Sequence, residues 1–206
     1  MPETVVYLGS TLPVATAKKI ADVHFLPPIK RGDLELLNDE VRTVAIIDGE
    51  FYQNLAISPK EILTLLRRGV RVYGASSMGA LRAVELYKLG MIGVGEIFRM
   101  YRDGVIDADD EVAVCYEASS CEPTSVPLVN IRHTLNVAVK NALLERSKAN
   151  ELLQHVQKLY FPERCYDVLC RLSPSLRQFL FCPPDLKAQD AIELLNLIAA
   201  SSHIQK

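Results

Sequence analysis

No glycine follows Gly104; all ten lie between Gly9 and that residue, so the second half of the chain has none. Glycine gathers where a backbone needs a tight turn or a close approach, so the two halves are built by different rules. No apolar run nears the roughly 18 residues of a membrane span. The five cysteines, Cys115, Cys121, Cys165, Cys170 and Cys182, are odd in number and form no CxxC pair. That excludes a disulfide framework and a zinc ribbon. Reduced, mostly packed thiols are expected, with Cys121 the most exposed; a sulfur-relay cysteine is the alternative. Basic residues are not in excess: 23 Lys and Arg against 25 Asp and Glu leave a net charge of −2, which argues against a nucleic-acid binder. Met1-Pro2-Glu3-Thr4 lacks the basic start of a signal peptide. A cytoplasmic protein with no membrane segment, no metal and no cofactor is the expectation.

What is present suits a folded domain. The 206 residues are 49% hydrophobic and 23% charged, enough for one domain or one and a half. Residues 1–116 alternate strand and helix signals. Val5–Leu8, Val23–Leu26, Thr43–Ile47, Val70–Tyr73 and Glu111–Tyr116 read as strands, the third a continuous apolar run of a doubly buried strand. Helices are expected from Pro13 to Ala21, capped by Ser10 or Thr11, and briefly after Asp33. Others are expected from Ser58-Pro59-Lys60-Glu61 to Gly69, from Ala80 to Leu89, and from Gly93 to Arg102. This pattern predicts an α/β fold: a parallel, Rossmann-like or flavodoxin-like three-layer sheet. Residues 117–206 read as a helical C-terminal region, a polar loop over 117–127 leading to helices over 131–146 and 149–159. A shorter helix follows from Pro162, and a last one over Asp185–Ala200 has Leu186, Ile192, Leu195 and Ile198 inward. It is expected to pack on the core as cover or as a partner surface.

The segment richest in chemistry is Gly74-Ala75-Ser76-Ser77-Met78-Gly79, a turn between a strand and a helix. Small residues flanking a serine there approximate a nucleophile elbow, and the helix N-terminus points amides at whatever sits above. Three readings of Ser77 stay open: an anion-binding turn, a nucleophile, or a structural turn. Parallel strands end on one edge, so Gly9-Ser10, Asp48-Gly49 and Ser76-Ser77 are expected to converge there. Arg82 and Glu85 share a face of the next helix, and Arg82 is placed either to meet an anion or to pair with Glu85. His24 is the one histidine expected near the same edge. The acidic stretch from Asp103 to Glu111 lacks cation-loop spacing and reads as solvated, or as a surface for a Mg²⁺ or a basic partner. Burial of Ser77 with no cleft would sink the catalytic readings of this turn.

In this order, the segments resemble the TfuA-like family. The resemblance rests on Tyr7-Leu8-Gly9-Ser10-Thr11-Leu12, on Arg31-Gly32-Asp33-Leu34, on Ile47-Asp48-Gly49-Glu50-Phe51, and on Gly74 to Ala83. It continues through Gly90-Met91-Ile92-Gly93-Val94-Gly95, Tyr101-Arg102-Asp103-Gly104 and Val129-Asn130-Ile131-Arg132. It covers about residues 5–135, with the core extending to about 140. The resemblance implies an accessory role beside a YcaO protein, which activates a peptide backbone amide for thioamide formation. It implies sulfide release from a thiocarboxylated, ubiquitin-like (ThiS-type) sulfur carrier, with the ribosomal precursor peptide reached through YcaO. For that chemistry Ser77, Asp48 and Arg82 are the catalytic candidates, Asp48 as the base for a water. Gly9, Ser10, Gly49, Gly74, Ser76, Gly79 and Glu85 are the substrate-binding candidates. An open groove along the strand ends is expected for the carrier's tail. The alternatives are a non-catalytic adaptor docking carrier and YcaO, and a phosphate- or nucleotide-binding enzyme. The last lacks a Walker lysine and a G-x-G-x-x-G.

Overall fold

The computed structural model describes residues 3–52, 54–117 and 120–203, and they divide into two compact units, Met1–Asp107 with Lys187–Lys206, and Ala108–Leu186. The division expected at 116/117 therefore falls earlier, and the last helix belongs to the first unit.

The first unit is an α/β fold around a five-stranded, all-parallel sheet. Its strands are β1 (Thr4–Tyr7), β2 (His24–Leu26), β3 (Thr43–Ile46), β4 (Arg71–Ala75) and β5 (Ile92–Val94), in the flavodoxin-like order β2-β1-β3-β4-β5. The central β3 is buried at every position, as its unbroken apolar run requires. On one face, Val6, Leu8, Ala45, Ile47, Tyr73 and Val94 pack against Ala17 of α1 (Val14–Ala17). The same cluster takes Ala191, Leu194, Leu195 and Ile198 from the C-terminal helix, which spans Leu186–His203. On the other face lie α2 (Pro59–Arg67) and α3 (Met78–Leu86), both packed on β4, with α4 (Glu96–Arg102) against α3. The Ser58 capping box of α2 forms as the sequence predicts: Ser58 Oγ accepts from Glu61 N while Glu61 Oε2 accepts from Ser58 N.

Two elements depart from the sequence reading. Gly93 was expected inside a helix but lies in β5; the chain turns at Gly95 (φ +93°) before α4 begins. A side chain at Gly93 would meet the Phe98 ring, so packing places a glycine at the centre of a three-residue strand that is too short to show a pattern. The strand expected over 111–116 is instead a 3₁₀ turn at Asp109–Glu111, with Tyr116 forming an isolated bridge to Pro123.

The second unit is helical: α5 (Leu128–Lys140), α6 (Arg146–Gln157) and α7 (Tyr166–Leu172), around Ile131, Leu135, Leu152, Val156, Leu169 and Leu176. The C-terminal helix of the first unit is α8. In the second unit the acidic stretch finds its basic partners within the chain. Arg164, 2% exposed, donates to Asp110 Oδ2 (2.6 Å) and to Asp110 O (2.9 Å), and Arg132 pairs with Glu111. All five cysteines are free; Cys121 is half-buried and Cys182 is the exposed one, contrary to expectation.

The missing glycines leave a mark at the end of α5. Ala142 takes the left-handed conformation (φ +56°) while Leu143 N donates to Ala138 O and Ala142 N to Val139 O, a helix-terminating arrangement that glycine ordinarily serves. Ala142→Gly is expected to raise stability by about 1 kcal/mol in a urea melt, because it removes the left-handed penalty. The opposite holds in the first unit. A side chain at Gly79 would run into the Ile46 carbonyl, and one at Gly74 into the Gly79 carbonyl. Gly79→Ala is expected to lose about 2 kcal/mol or more in the same assay, since backbone cannot yield as a side chain does.

Candidate functional site

The reversal of strand order falls between β1 and β3, where an open parallel sheet leaves a crevice beyond its strand ends. Asp48, just past β3, occupies that position and is 4% exposed. Its Oδ2 accepts from Gly9 N (2.9 Å) and Thr11 N (3.1 Å), and its Oδ1 accepts from Thr11 Oγ1 (2.6 Å). The loop after β1 is thus wrapped around a carboxylate, with half-buried Ser10 between the two donating amides. This also explains the shortness of α1. Thr11 spends its hydroxyl and its amide on Asp48 and caps nothing, and the helix starts only after Pro13.

Next to it, β4 runs into the serine turn. Ser76 adopts the left-handed region (φ +66°), and Ser77 takes the cap position of α3 without spending its side chain as a cap. The strain falls on Ser76, one residue before the serine whose hydroxyl is left available. Gly74 and Gly79 let the first turn of α3 sit directly on the ends of β3 and β4. Into this corner comes Lys187, from the first turn of α8. Its Nζ donates to Ser77 Oγ at 3.1 Å and lies 3.9 Å from Asp48 Oδ1. Ser76 Oγ is 3.5 Å from Thr11 Oγ1. Lys187 is 3% exposed and Ser77 2%.

One helical turn on, α8 makes a second polar attachment. Asp190 accepts from Glu96 N (2.8 Å) and Ile97 N (2.7 Å), the first amides of α4, and its carboxyl fills the space a Gly95 side chain would need. Burial pushes its pKa from 3.8 up to about 6, outweighing the two backbone donors that favour the charged form.

The converging turns expected at Gly9-Ser10, Asp48-Gly49 and Ser76-Ser77 therefore meet, with Gly49 packed between Ile29 and Met78. Other candidates go elsewhere. Arg82 donates through Nε to Ile57 O (2.9 Å) and through Nη1 to both Glu85 oxygens (2.7 and 2.8 Å), the ion-pair alternative of the two weighed for it. His24 opens β2 at the other end of the strands and is exposed, so it leaves the candidate set. The serine expected to face an open groove is itself buried, at 2% exposure. A small cavity lined by Glu3, Thr43, Arg71 and Ile198 lies at the opposite, N-terminal edge of the sheet. Among the described residues no three His, Cys, Asp or Glu side chains group to hold a metal, and no helix is long and apolar enough to cross a membrane.

The residues missed from the sequence are Thr11, Lys187 and Asp190. The last two carried a signal. They fall on the stripe Lys187, Asp190, Ala191, Leu194 and Ile198, helical spacings that place two charges on a buried face.

A family model described as TfuA-like protein matches residues 48–165, more than half of the chain. The match begins and ends later than the resemblance over 5–135. It contains Asp48 and Ser77 and leaves Gly9, Thr11 and Lys187 outside. No curated protein matches the chain.

Asp190 makes stability depend on pH in a definite direction. The native state holds this proton more tightly than the unfolded chain does. Its contribution is therefore complete below about pH 4 and is lost as pH rises through about 6, a loss of order 3 kcal/mol. Urea melts between pH 4.5 and 7.5 should show that fall in the wild type and a flattened profile in Asp190→Asn.

Proposed function

The chain belongs to the TfuA-like protein family. From that membership we propose that it serves a YcaO-type thioamidation system, hydrolysing a thiocarboxylated ubiquitin-like carrier to release sulfide for the amide that YcaO activates. The observation that carries the reading is the hydrogen bond between Lys187 Nζ and Ser77 Oγ on the strand-to-helix turn. A serine hydroxyl needs a base to become a nucleophile, and an amine within hydrogen-bond reach is such a base when neutral. Burying an ammonium costs several kcal/mol. An apolar residue would fasten α8 to the sheet at less expense, so a lysine at this point argues for chemistry.

The reaction runs in two stages. Ser77 Oγ attacks the acyl carbon of the thiocarboxylate as its proton passes to Lys187 Nζ. Charge gathers on the carbonyl oxygen, toward the Met78 N–H that follows the serine. The adduct collapses, the carbon–sulfur bond breaks, and sulfur leaves as hydrosulfide with the proton Lys187 had taken. An acyl ester remains on Ser77. Water then attacks that ester, gives a proton to Lys187, and the same proton returns to Ser77 Oγ as the carboxylate departs. In sum, thiocarboxylate and water give carboxylate, hydrosulfide and one proton. Asp48 is not needed as the base for a water in this scheme.

The burial of Ser77 favours a second reading, in which the cluster only anchors α8 and the protein is an adaptor that docks carrier and YcaO. Sulfide release from the thiocarboxylated carrier separates the two. The hydrolase reading expects release by the wild type, loss of it in Ser77→Ala, and a fall of about 10²–10⁴-fold in Lys187→Met with folding retained in a thermal melt. Equal release by Ser77→Ala would remove the serine from the mechanism. Carrier and YcaO binding without release would establish the adaptor.

A further inference from the structure

We propose that Asp48 is a positioning residue for Lys187. It fixes where the amine sits and holds it in the ammonium form at rest, so that the pH at which Ser77 gains its base is set by the loop after β1. The inference rests on the reading of Ser77 and Lys187 as the reacting pair and deepens it.

Both Asp48 oxygens act only as acceptors: Oδ2 from Gly9 N and Thr11 N, Oδ1 from Thr11 Oγ1, with Lys187 Nζ at ion-pair distance from Oδ1. Three donors from one short loop leave the carboxyl group no rotational freedom. Its Oδ1 is therefore a fixed negative point 3.9 Å from Nζ, while Nζ itself lies against Ser77 Oγ. Nothing from Asp48 is bonded to Ser77 directly. It acts on the serine through the lysine, and through Thr11, whose hydroxyl also reaches Ser76 at 3.5 Å.

Other charged groups lie near this end of α8, among them Asp185, which accepts from Asn130 Nδ2 at 2.9 Å. Asp190 turns its carboxyl to the amides of Glu96 and Ile97. Glu96 pairs with Arg99, which also approaches Glu193; all three are near half exposed, where solvent weakens their fields. From the sheet side Tyr73 packs in the same apolar cluster but lines the cavity at the opposite edge, beside Ile198. Asp48 is a buried negative charge facing Lys187. An opposite charge at such a distance favours the charged form of its neighbour, and removing it moves the neighbour's titration by about one to three pH units.

The test is the pH profile of sulfide release from a thiocarboxylated carrier. In the wild type the rate rises as Lys187 loses its proton, and that acid limb marks the titration. Asp48→Asn keeps the size of the side chain and removes its charge. The expected result is an acid limb displaced to lower pH by one unit or more. A lower rate with the limb unmoved would overturn the proposal and leave Asp48 a structural tie. Should Asp48→Asn fail to fold in a thermal melt, Thr11→Val carries the test. It removes the 2.6 Å donor and leaves more of the carboxylate's field on the amine, so the limb moves up; an unmoved limb again overturns the proposal. Titration of Lys187 by NMR in ¹³C-lysine-labelled protein reads the same displacement without turnover. Failure of the hydrolase reading, seen as no release by wild type, is therefore distinguishable from failure of this one.

Discussion

An ammonium taken out of water must find a negative charge and good acceptors, or the fold loses several kcal/mol. Lys187 finds them in one place in the first unit, where the ends of β1, β3 and β4 come together. Much of the local architecture follows from that requirement. The loop after β1 has to bend back so that Gly9, Thr11 and Asp48 lock into one another. The serine turn has to bring Ser77 down to the same corner. And α8 has to return to the sheet 110 residues after the serine it touches. The apolar stripe of α8 supplies the adhesion through Ala191, Leu194, Leu195 and Ile198, but apolar contact has no direction. Lys187 and Asp190 add the direction, since each polar attachment is satisfied at one register of the helix only.

The uneven distribution of glycine has the same origin. Where backbone meets backbone, at Gly74 and Gly79, or side chains close in, on Gly9 from Pro28 and on Gly49 from Ile29 and Met78, there is no room for a Cβ, and all four glycines belong to this edge. The helical unit makes its contacts through side chains and has no such demand, so it does without glycine and accepts a left-handed alanine at the end of α5. Composition thus reports where main chains are pressed together, which in a parallel sheet is also where a ligand crevice forms.

That is why the site was half legible in the sequence. The serine turn, Asp48 and the α2 capping box are written in neighbouring residues, and local spacing was enough to find them. The strand β5 was hidden because it is three residues long with Gly93 at its centre. The stretch Glu111–Tyr116 read as a strand from its apolar run, while the ion pair of Glu111 with Arg132 joins residues 21 positions apart. Arg82 was as well placed for an anion as for Glu85; the carbonyl of Ile57, delivered by another loop, turns it away. Lys187 was the costliest miss. It sits in the half that seemed to be cover, and only its place on an apolar stripe betrays it.

The burial of Ser77 and Lys187 restricts how the corner can work. Lifting α8 would uncover Ser77 but would carry Nζ away from Oγ, exposing the serine and disabling it in one motion. An opening that keeps the pair together has to come from a different element bordering the strand ends, while α8 stays held through Asp190 and its apolar face. A site that opens in this way keeps bulk water off the acyl carbon until a tail has entered, and it strengthens every charge interaction within. Under the hydrolase proposal such an opening would couple hydrosulfide release to docking of a carrier, whereas under the adaptor reading the buried Ser77 has no need to be uncovered at all.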